Sequence, residues 1–259
     1  MGAVTAVWHS AGSAEVPAGD DWLSEREAAR AAGMRYPKRR SEFRLGRWTA
    51  KTTIARLLEP PGNPGPLAGI EIASAPGGAP DPRVREASAP VSISMTDRAD
   101  WAVCLASTAR LALGCDLELV ESRSDSFVTD YLTTAEQRLV LDSGHDRDLM
   151  ANLVWSAKES ALKVLRVGLR RATRSVEVTL EDRNVSGWGA LQIRDLHSDA
   201  VFPGWWCCFG DFILTVAASD AIRPPNPLVE PPPLATAVPS HRWMGKRPHR
   251  APATRSLHT

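Results

Sequence analysis

The chain has 259 residues, 43% of them hydrophobic and 24% charged, with a formal net charge of +1 from 31 basic and 30 acidic side chains. That length and apolar content support one large domain or two small ones with real cores, which excludes a disordered chain. Near-neutrality excludes a general nucleic-acid binder and a polybasic membrane protein. The sum hides a split: residues 221–259 hold six Lys/Arg against one acid, Glu230, which leaves the body net acidic.

No run of about 18 apolar residues marks a membrane span. Residues Met1 to Ser10 lack the basic and long apolar regions of a secretory signal. The four cysteines, Cys104, Cys115, Cys207 and Cys208, show no metal-ligand or disulfide spacing. They read as reduced thiols in a cytoplasmic protein.

In chain order, Asp20 to Leu58 reads as helical. Ser24 and Glu27 form a capping box, Gly33 stops the first helix, and a second runs from about Lys38 to Leu58. Pro60 to Pro90 is rich in Pro and Gly and reads as turns and a surface loop. Strands are predicted at Val91–Ser94, Trp101–Leu105 and Leu113–Val120. A helix is predicted at Ser126–Leu141, and the strongest one at Asn152–Leu169. Further strands follow at Val176–Leu180, Leu191–Ile193, Trp205–Phe209 and Phe212–Ala217. No internal sequence repeat is evident, and the mixture of helices with antiparallel-looking strands predicts an α+β class. Residues 221–259, with nine of the twenty prolines, read as a Pro-rich, basic, disordered tail.

Two segments carry chemistry. In Gly114-Cys115-Asp116-Leu117-Glu118, residues two apart share a strand face, so Asp116 and Glu118 project together. Such a pair needs solvent, a basic side chain or a cation between its charges, and Mg²⁺ is the obvious hard cation. Taken alone, the pair is equally an amphipathic strand with a wet acidic face. In Trp155-Ser156-Ala157-Lys158-Glu159-Ser160-Ala161-Leu162-Lys163, residues Trp155, Glu159 and Lys163 stack along one helix stripe. Alone, that is a surface Glu–Lys pair above an aromatic. Combined with the strand, Glu159 adds a third carboxylate and Lys163 a cation, which together suit a pyrophosphate. Arg35 to Lys51 carries seven basic residues and one acid, which suits an anionic ligand.

Together these motifs resemble the 4′-phosphopantetheinyl transferases, whose motifs read G-[I/V/C]-D-[I/L/V]-E and W-[S/A/T]-x-K-E-[S/A]-x-x-K. Arg40 to Lys51 and Val91-Ser92-Ile93-Ser94 are similar to the long single-chain type that activates peptide and polyketide synthases. The likeness spans about Leu23 to Ala218 and leaves the tail uncovered.

The resemblance implies a pseudo-twofold tandem of two similar halves, 1–110 and 111–220. Each would be a small, mainly antiparallel sheet with packed helices, and coenzyme A would lie in the cleft between them. The implied reaction moves the phosphopantetheine arm of coenzyme A to a serine of an apo acyl or peptidyl carrier protein and releases adenosine 3′,5′-bisphosphate. By position, Asp116, Glu118 and Glu159 would hold Mg²⁺, with Glu159 also taking the serine proton. Lys163 would meet the phosphates and stabilise the leaving group. Arg47, Lys51, Ser94, Asp116 and Lys158 complete the implied coenzyme A contacts, and Val128–Leu141 would dock the carrier.

The implied partners are carrier proteins or carrier domains of polyketide and nonribosomal peptide synthases. No specific nucleic acid, no membrane and no second copy of the chain is implied. One departure stands out. Relatives usually read Ser-x-Ser-His after the strand, and here the histidine is Met95. A thioether neither donates a hydrogen bond nor carries charge. The lost contact would be replaced by Thr96 or Arg98, and Arg83 or Arg85 would replace a Gly-Lys-Pro-like element. The alternative is a non-catalytic or weakly active module that binds carrier protein or coenzyme A.

Overall fold

A strand, β1 (Val7–Gly12), opens the fold where the sequence predicts none. Five of its six residues are buried, so no polar alternation marks it. The computed structural model describes residues 3–58, 66–75, 77–167 and 170–240.

Two helices follow, α1 (Glu25–Ala32) and α2 (Pro37–Leu58). Ser24 caps α1, and Glu27 closes the predicted capping box. The segment predicted as a surface loop is instead largely a small antiparallel sheet of β2 (Ile70–Ser74), β3 (Pro80–Val84) and β4 (Ala87–Ser88). Prolines at 80 and 82 lower strand propensity and hide β3 from a sequence reading. Residues 60–65 and 76 of that segment lie outside the described residues.

The chain continues through β5 (Ser92–Arg98), β6 (Trp101–Ser107) and β7 (Leu113–Leu119). The predicted helix at 126–141 is two helices, α3 (Asp125–Tyr131) and α4 (Thr134–Asp142). Thr133 breaks them apart by capping α4 in a box with Glu136. α5 (Arg147–Val164) starts ahead of Asn152 and stops short of Leu169. Four strands complete the second sheet: β8 (Val176–Val185), β9 (Trp188–Asp195), β10 (Val201–Phe209) and β11 (Phe212–Ala218).

The class is α+β. One sheet has the order β12-β1-β6-β5, with β12 (Asn226–Pro227) parallel to β1, and the other is β7-β11-β10-β9-β8. Trp8, Val103, Leu105, Leu117, Trp205, Leu214 and Val216 form one core shared by both sheets. Ala50 and Ile54 of α2 cover the other face of the first sheet, and Leu153, Ala157 and Ala161 of α5 do so for the second. Where β5 meets β7, side chains replace a backbone ladder. The Cys115 N–H donates to Ser94 Oγ (3.0 Å), and the Leu117 N–H donates to Thr96 Oγ1 (3.2 Å).

Two local arrangements in the structure match one another. Trp48-Thr49-Ala50-Lys51 in α2 and Trp155-Ser156-Ala157-Lys158 in α5 sit in matching surroundings. Lys51 Nζ pairs with Glu27 at 2.5 Å, and Lys158 Nζ pairs with Glu136 at 2.7 Å. Each glutamate is the third residue of a capped helix, and each accepts a strand N–H, from Ile72 and Val178 respectively (2.9 and 2.8 Å). Only short, conservatively changed stretches carry the likeness, because the intervening strands and loops differ in length.

The tail expectation fails for its first half. Ile222 and Leu234 are buried in the shared core, Asn226 and Pro227 pair with β1, and Pro233–Thr236 forms a 3₁₀ turn. Apolar residues at wide, irregular spacing anchor this strap, so no periodicity announced it. Residues 241–259 lie outside the described residues.

Candidate active site

β7 and α5 bring the chemical residues together because Gly114 lets them touch. A Cβ on Gly114 would lie 1.8 Å from the Ser160 carbonyl oxygen, so only glycine fits under that helix. Ser156 Oγ donates to the Asp116 carbonyl (3.2 Å), and Ser156 and Ser160 both bond Thr215 Oγ1 on β11. This buried polar knot fixes α5 against β7 and leaves no hydroxyl without a partner.

Asp116 Oδ1 accepts from Lys163 Nζ (2.9 Å) and from Thr96 Oγ1 (3.2 Å). Its other oxygen, Oδ2, is buried and has no hydrogen-bond partner among the described residues. Lys163 Nζ also donates to the Cys115 carbonyl (2.7 Å). Burial works most strongly against the Lys163 charge, but Asp116, Cys115 and Glu159 together outweigh it and raise the ammonium pKa above its usual range.

Glu159 Oε1 is likewise buried and, among the described residues, unpartnered. Burial, with the Asp116 charge next, pushes its carboxyl up to about 7, against the pull of Lys163. Glu118 is held differently. Its Oε1 accepts from Trp155 Nε1 (3.0 Å), and its Oε2 lies 3.4 Å from Arg98 and 3.5 Å from Arg123. Burial and then Asp116 raise its pKa, with the two arginines opposing.

The expected three-carboxylate cage is therefore not drawn together. Among the described residues no group of three or more His, Cys, Asp or Glu side chains gathers as a metal centre. Glu118 is clasped by two arginines and an indole. Asp116 Oδ2 and Glu159 Oε1 are the open oxygens. That pair fits a hard cation of the Mg²⁺ kind, which is commonly held by one or two carboxylates and completes its shell with water and phosphate oxygens.

Two of the implied coenzyme A contacts lie elsewhere. Lys51 is fully buried, paired with Glu27 and bonded to the Trp22 carbonyl (2.9 Å). Lys158 is fully buried and directs its remaining donors at the carbonyls of Thr173 and Val176. Burial lowers both lysine pKa values, with Glu27 and Glu136 opposing. Lys51 ties α2 to α1 and the segment ahead of it, Lys158 ties α5 to the start of β8, and neither presents a charge to a ligand.

Much of the basic stretch before them is committed in the same way. Arg40 and Arg44 cap carbonyls of the preceding segment. Arg47 stacks on Phe43 and bonds the Ile72 carbonyl. Ser94 is buried and serves the β5–β7 seam. The replacements considered for the missing histidine are occupied too, Thr96 with Asp116 and Arg98 with Glu118 and Glu121, and Arg83, considered for the Gly-Lys-Pro-like element, pairs with Asp81.

Beside Lys163 opens a cavity of about 360 Å³. Ser92 to Met95 of β5, Pro80 to Pro82 of β3, Leu113, Lys163 and Arg166 line it. Lys163 thus joins the cavity to the carboxylates. The sequence reading missed Thr96 as a ligand of Asp116, the arginines on Glu118, and Arg166. The strand alternation at 94 and 96 could have suggested the first, but no local pattern announces the others.

No curated protein matches the chain. Residues 112–207 match the family model for the 4′-phosphopantetheinyl transferase superfamily. The matched stretch holds Asp116, Glu118, Trp155, Glu159 and Lys163 and all of α5. The stretch that carries the open carboxylates and Lys163 is thus similar to the 4′-phosphopantetheinyl transferase superfamily.

Proposed function

We propose that the protein transfers the 4′-phosphopantetheine arm of coenzyme A to a serine of apo acyl or peptidyl carrier proteins. The observation that carries this reading is the pair of buried, unpartnered oxygens on Asp116 and Glu159, set beside Lys163 and the cavity. The superfamily match supports the transferase class.

In this reading a divalent ion, Mg²⁺, bound at Asp116 and Glu159, would neutralise and polarise the pyrophosphate oxygens. The serine oxygen forms a bond to the phosphorus that carries the pantetheine. The bond from that phosphorus to the bridging oxygen breaks, and adenosine 3′,5′-bisphosphate leaves with the bonding pair. The serine proton goes to the Glu159 carboxylate, which acts as the general base. Lys163 stays cationic and balances charge on the departing phosphate. Ser94 and Thr96 fix β7, and through it Asp116, from the neighbouring sheet.

We further propose that the matched Lys–Glu contacts mark two pseudo-twofold halves, with coenzyme A entering between them. Its carriers are domains of polyketide and peptide synthases, it works as a monomer in the cytoplasm, and α3 and α4 dock the carrier. Among the described residues no helix is long and apolar enough to cross a membrane.

The test is incubation of purified protein with coenzyme A, Mg²⁺ and a panel of apo carriers, read by intact mass. A carrier gaining one phosphopantetheine arm supports the reading. No gain on any peptide-synthase, polyketide-synthase or fatty-acid carrier, from folded protein, rejects it. The second reading, a binding module, rests on Met95, which lines the cavity as an uncharged thioether. It expects carrier binding without transfer, and transfer once Met95→His is made.

A further inference from the structure

α5 ends in a Schellman motif. The Arg166 N–H bonds the Lys163 carbonyl (3.0 Å), and the Val167 N–H reaches back to the Leu162 carbonyl (3.2 Å). Val167 and Leu162 pack in the same core, as the hydrophobic contact of that motif requires. The motif needs a left-handed residue at the position of Arg166, and its φ is 58°. Glycine is the usual occupant because a Cβ is disfavoured there. A long side chain in this place works against helix termination, so capping does not explain the arginine.

Its surroundings do. Arg166 is exposed and lines the 360 Å³ cavity next to Lys163. Among the described residues its guanidinium has no hydrogen-bond or ion-pair partner. The other charged residues of that wall are engaged: Lys163 with Asp116, and Asp81 with Arg83. The turn itself is held firmly. Arg170 bonds the carbonyls of both Arg166 and Gly77, which ties the end of α5 to the turn ahead of β3. A rigid backbone therefore presents an unpaired planar cation to a cavity whose other lining cation, Lys163, is already bonded to a carboxylate. Guanidinium matches phosphate through two parallel N–H···O bonds.

We infer that Arg166 is a substrate-binding residue that grips a phosphate of coenzyme A, and that it supplies the phosphate contact Met95 cannot make. This rests on the transferase reading above.

The informative variant is Arg166→Gly, since glycine suits the left-handed turn. Its melting temperature is expected to equal that of the wild type or exceed it by roughly 2–4 °C. Its Kd for coenzyme A, measured by calorimetry with Mg²⁺ present, is expected to rise about tenfold or more, with KM rising likewise and kcat changing less than threefold. Arg166→Lys should recover part of the loss. Parallel titrations with dephospho-coenzyme A locate the contact: a loss shared by both ligands assigns the pyrophosphate, and a loss confined to coenzyme A assigns the 3′-phosphate. An unchanged Kd in a stable Arg166→Gly protein overturns the inference while leaving the transferase reading intact. Wild-type protein that binds no coenzyme A overturns both.

Discussion

Asp116 and Glu159 are acidic side chains with opposite consequences for stability and for chemistry. Each leaves an oxygen buried without a donor, an arrangement a fold tolerates poorly unless something else uses it. Glu159→Gln removes an ionisable group that burial and Asp116 already disfavour in its charged form. The variant should melt no lower than the wild type at pH 8, yet lose about 10²- to 10⁴-fold in kcat/KM because no base takes the serine proton. Retained transfer in the glutamine variant would remove Glu159 from the role of base.

A second residue-scale effect sits away from the site. His9, buried in β1, has its pKa lowered to about 4 by burial and then by Arg56. The unfolded chain takes up this proton near pH 6.5, and the folded chain only near 4. Stability is thus greatest above 6.5 and declines as pH falls through that window, by up to roughly 3 kcal/mol for this group. Denaturant titrations at pH 7 and 4.5 measure it, and His9→Asn should flatten the difference between the two.

At the scale of elements, the structure turns two motif residues into structural parts. Gly114 belongs to the acidic motif by sequence, but its position is dictated by the approach of α5 to β7. Gly114→Ala forces backbone against backbone and should cost about 3 kcal/mol or more, seen as a lower denaturant midpoint. Lys158 follows the same logic. Lys158→Met strands the buried carboxylate of Glu136 and should cost roughly 3–5 kcal/mol, whereas adding Glu136→Gln, which removes that charge but keeps an acceptor for the Val178 N–H, should recover part of it. Recovery in the double variant would separate a packing role from a ligand role, since a phosphate contact would not return.

The same residues show how far the sequence was legible. Asp116, Glu159 and Lys163 were readable as a set because strand and helix periods place them on facing stripes. Lys51 and Lys158 were misjudged because their partners, Glu27 and Glu136, lie on other helices. Burial of a lysine depends on that tertiary pairing, which local pattern does not encode. Both capping boxes were written in the chain; only the one at Ser24 and Glu27 was read.

For the whole molecule, helices and central strands were legible from periodicity, while β1, β3 and the strap at 221–240 were not. Each breaks the usual pattern: β1 lacks a polar face, β3 contains two prolines, and the strap is held by single apolar anchors. The strap matters most for how the molecule closes. Leu234 is fully buried in the core shared by the two sheets, and its N–H donates to Ser10 Oγ on β1 (3.1 Å). The Val4 N–H donates to the Ala221 carbonyl (2.9 Å), the Arg223 N–H to the Val4 carbonyl (3.0 Å) and the Leu228 N–H to the Trp8 carbonyl (2.8 Å). The strap therefore fastens the edge of the first sheet and covers Trp8, far in sequence from Asp116 and Lys163. Leu234→Ala leaves a cavity there and should cost about 2–5 kcal/mol. Because the strap contributes no residue to the cavity beside Lys163, kcat and KM measured well below the melting temperature should stay within twofold of wild type. A variant that keeps its melting temperature would show the strap to be a loose cover, and one that stays folded but loses activity would tie it to the site.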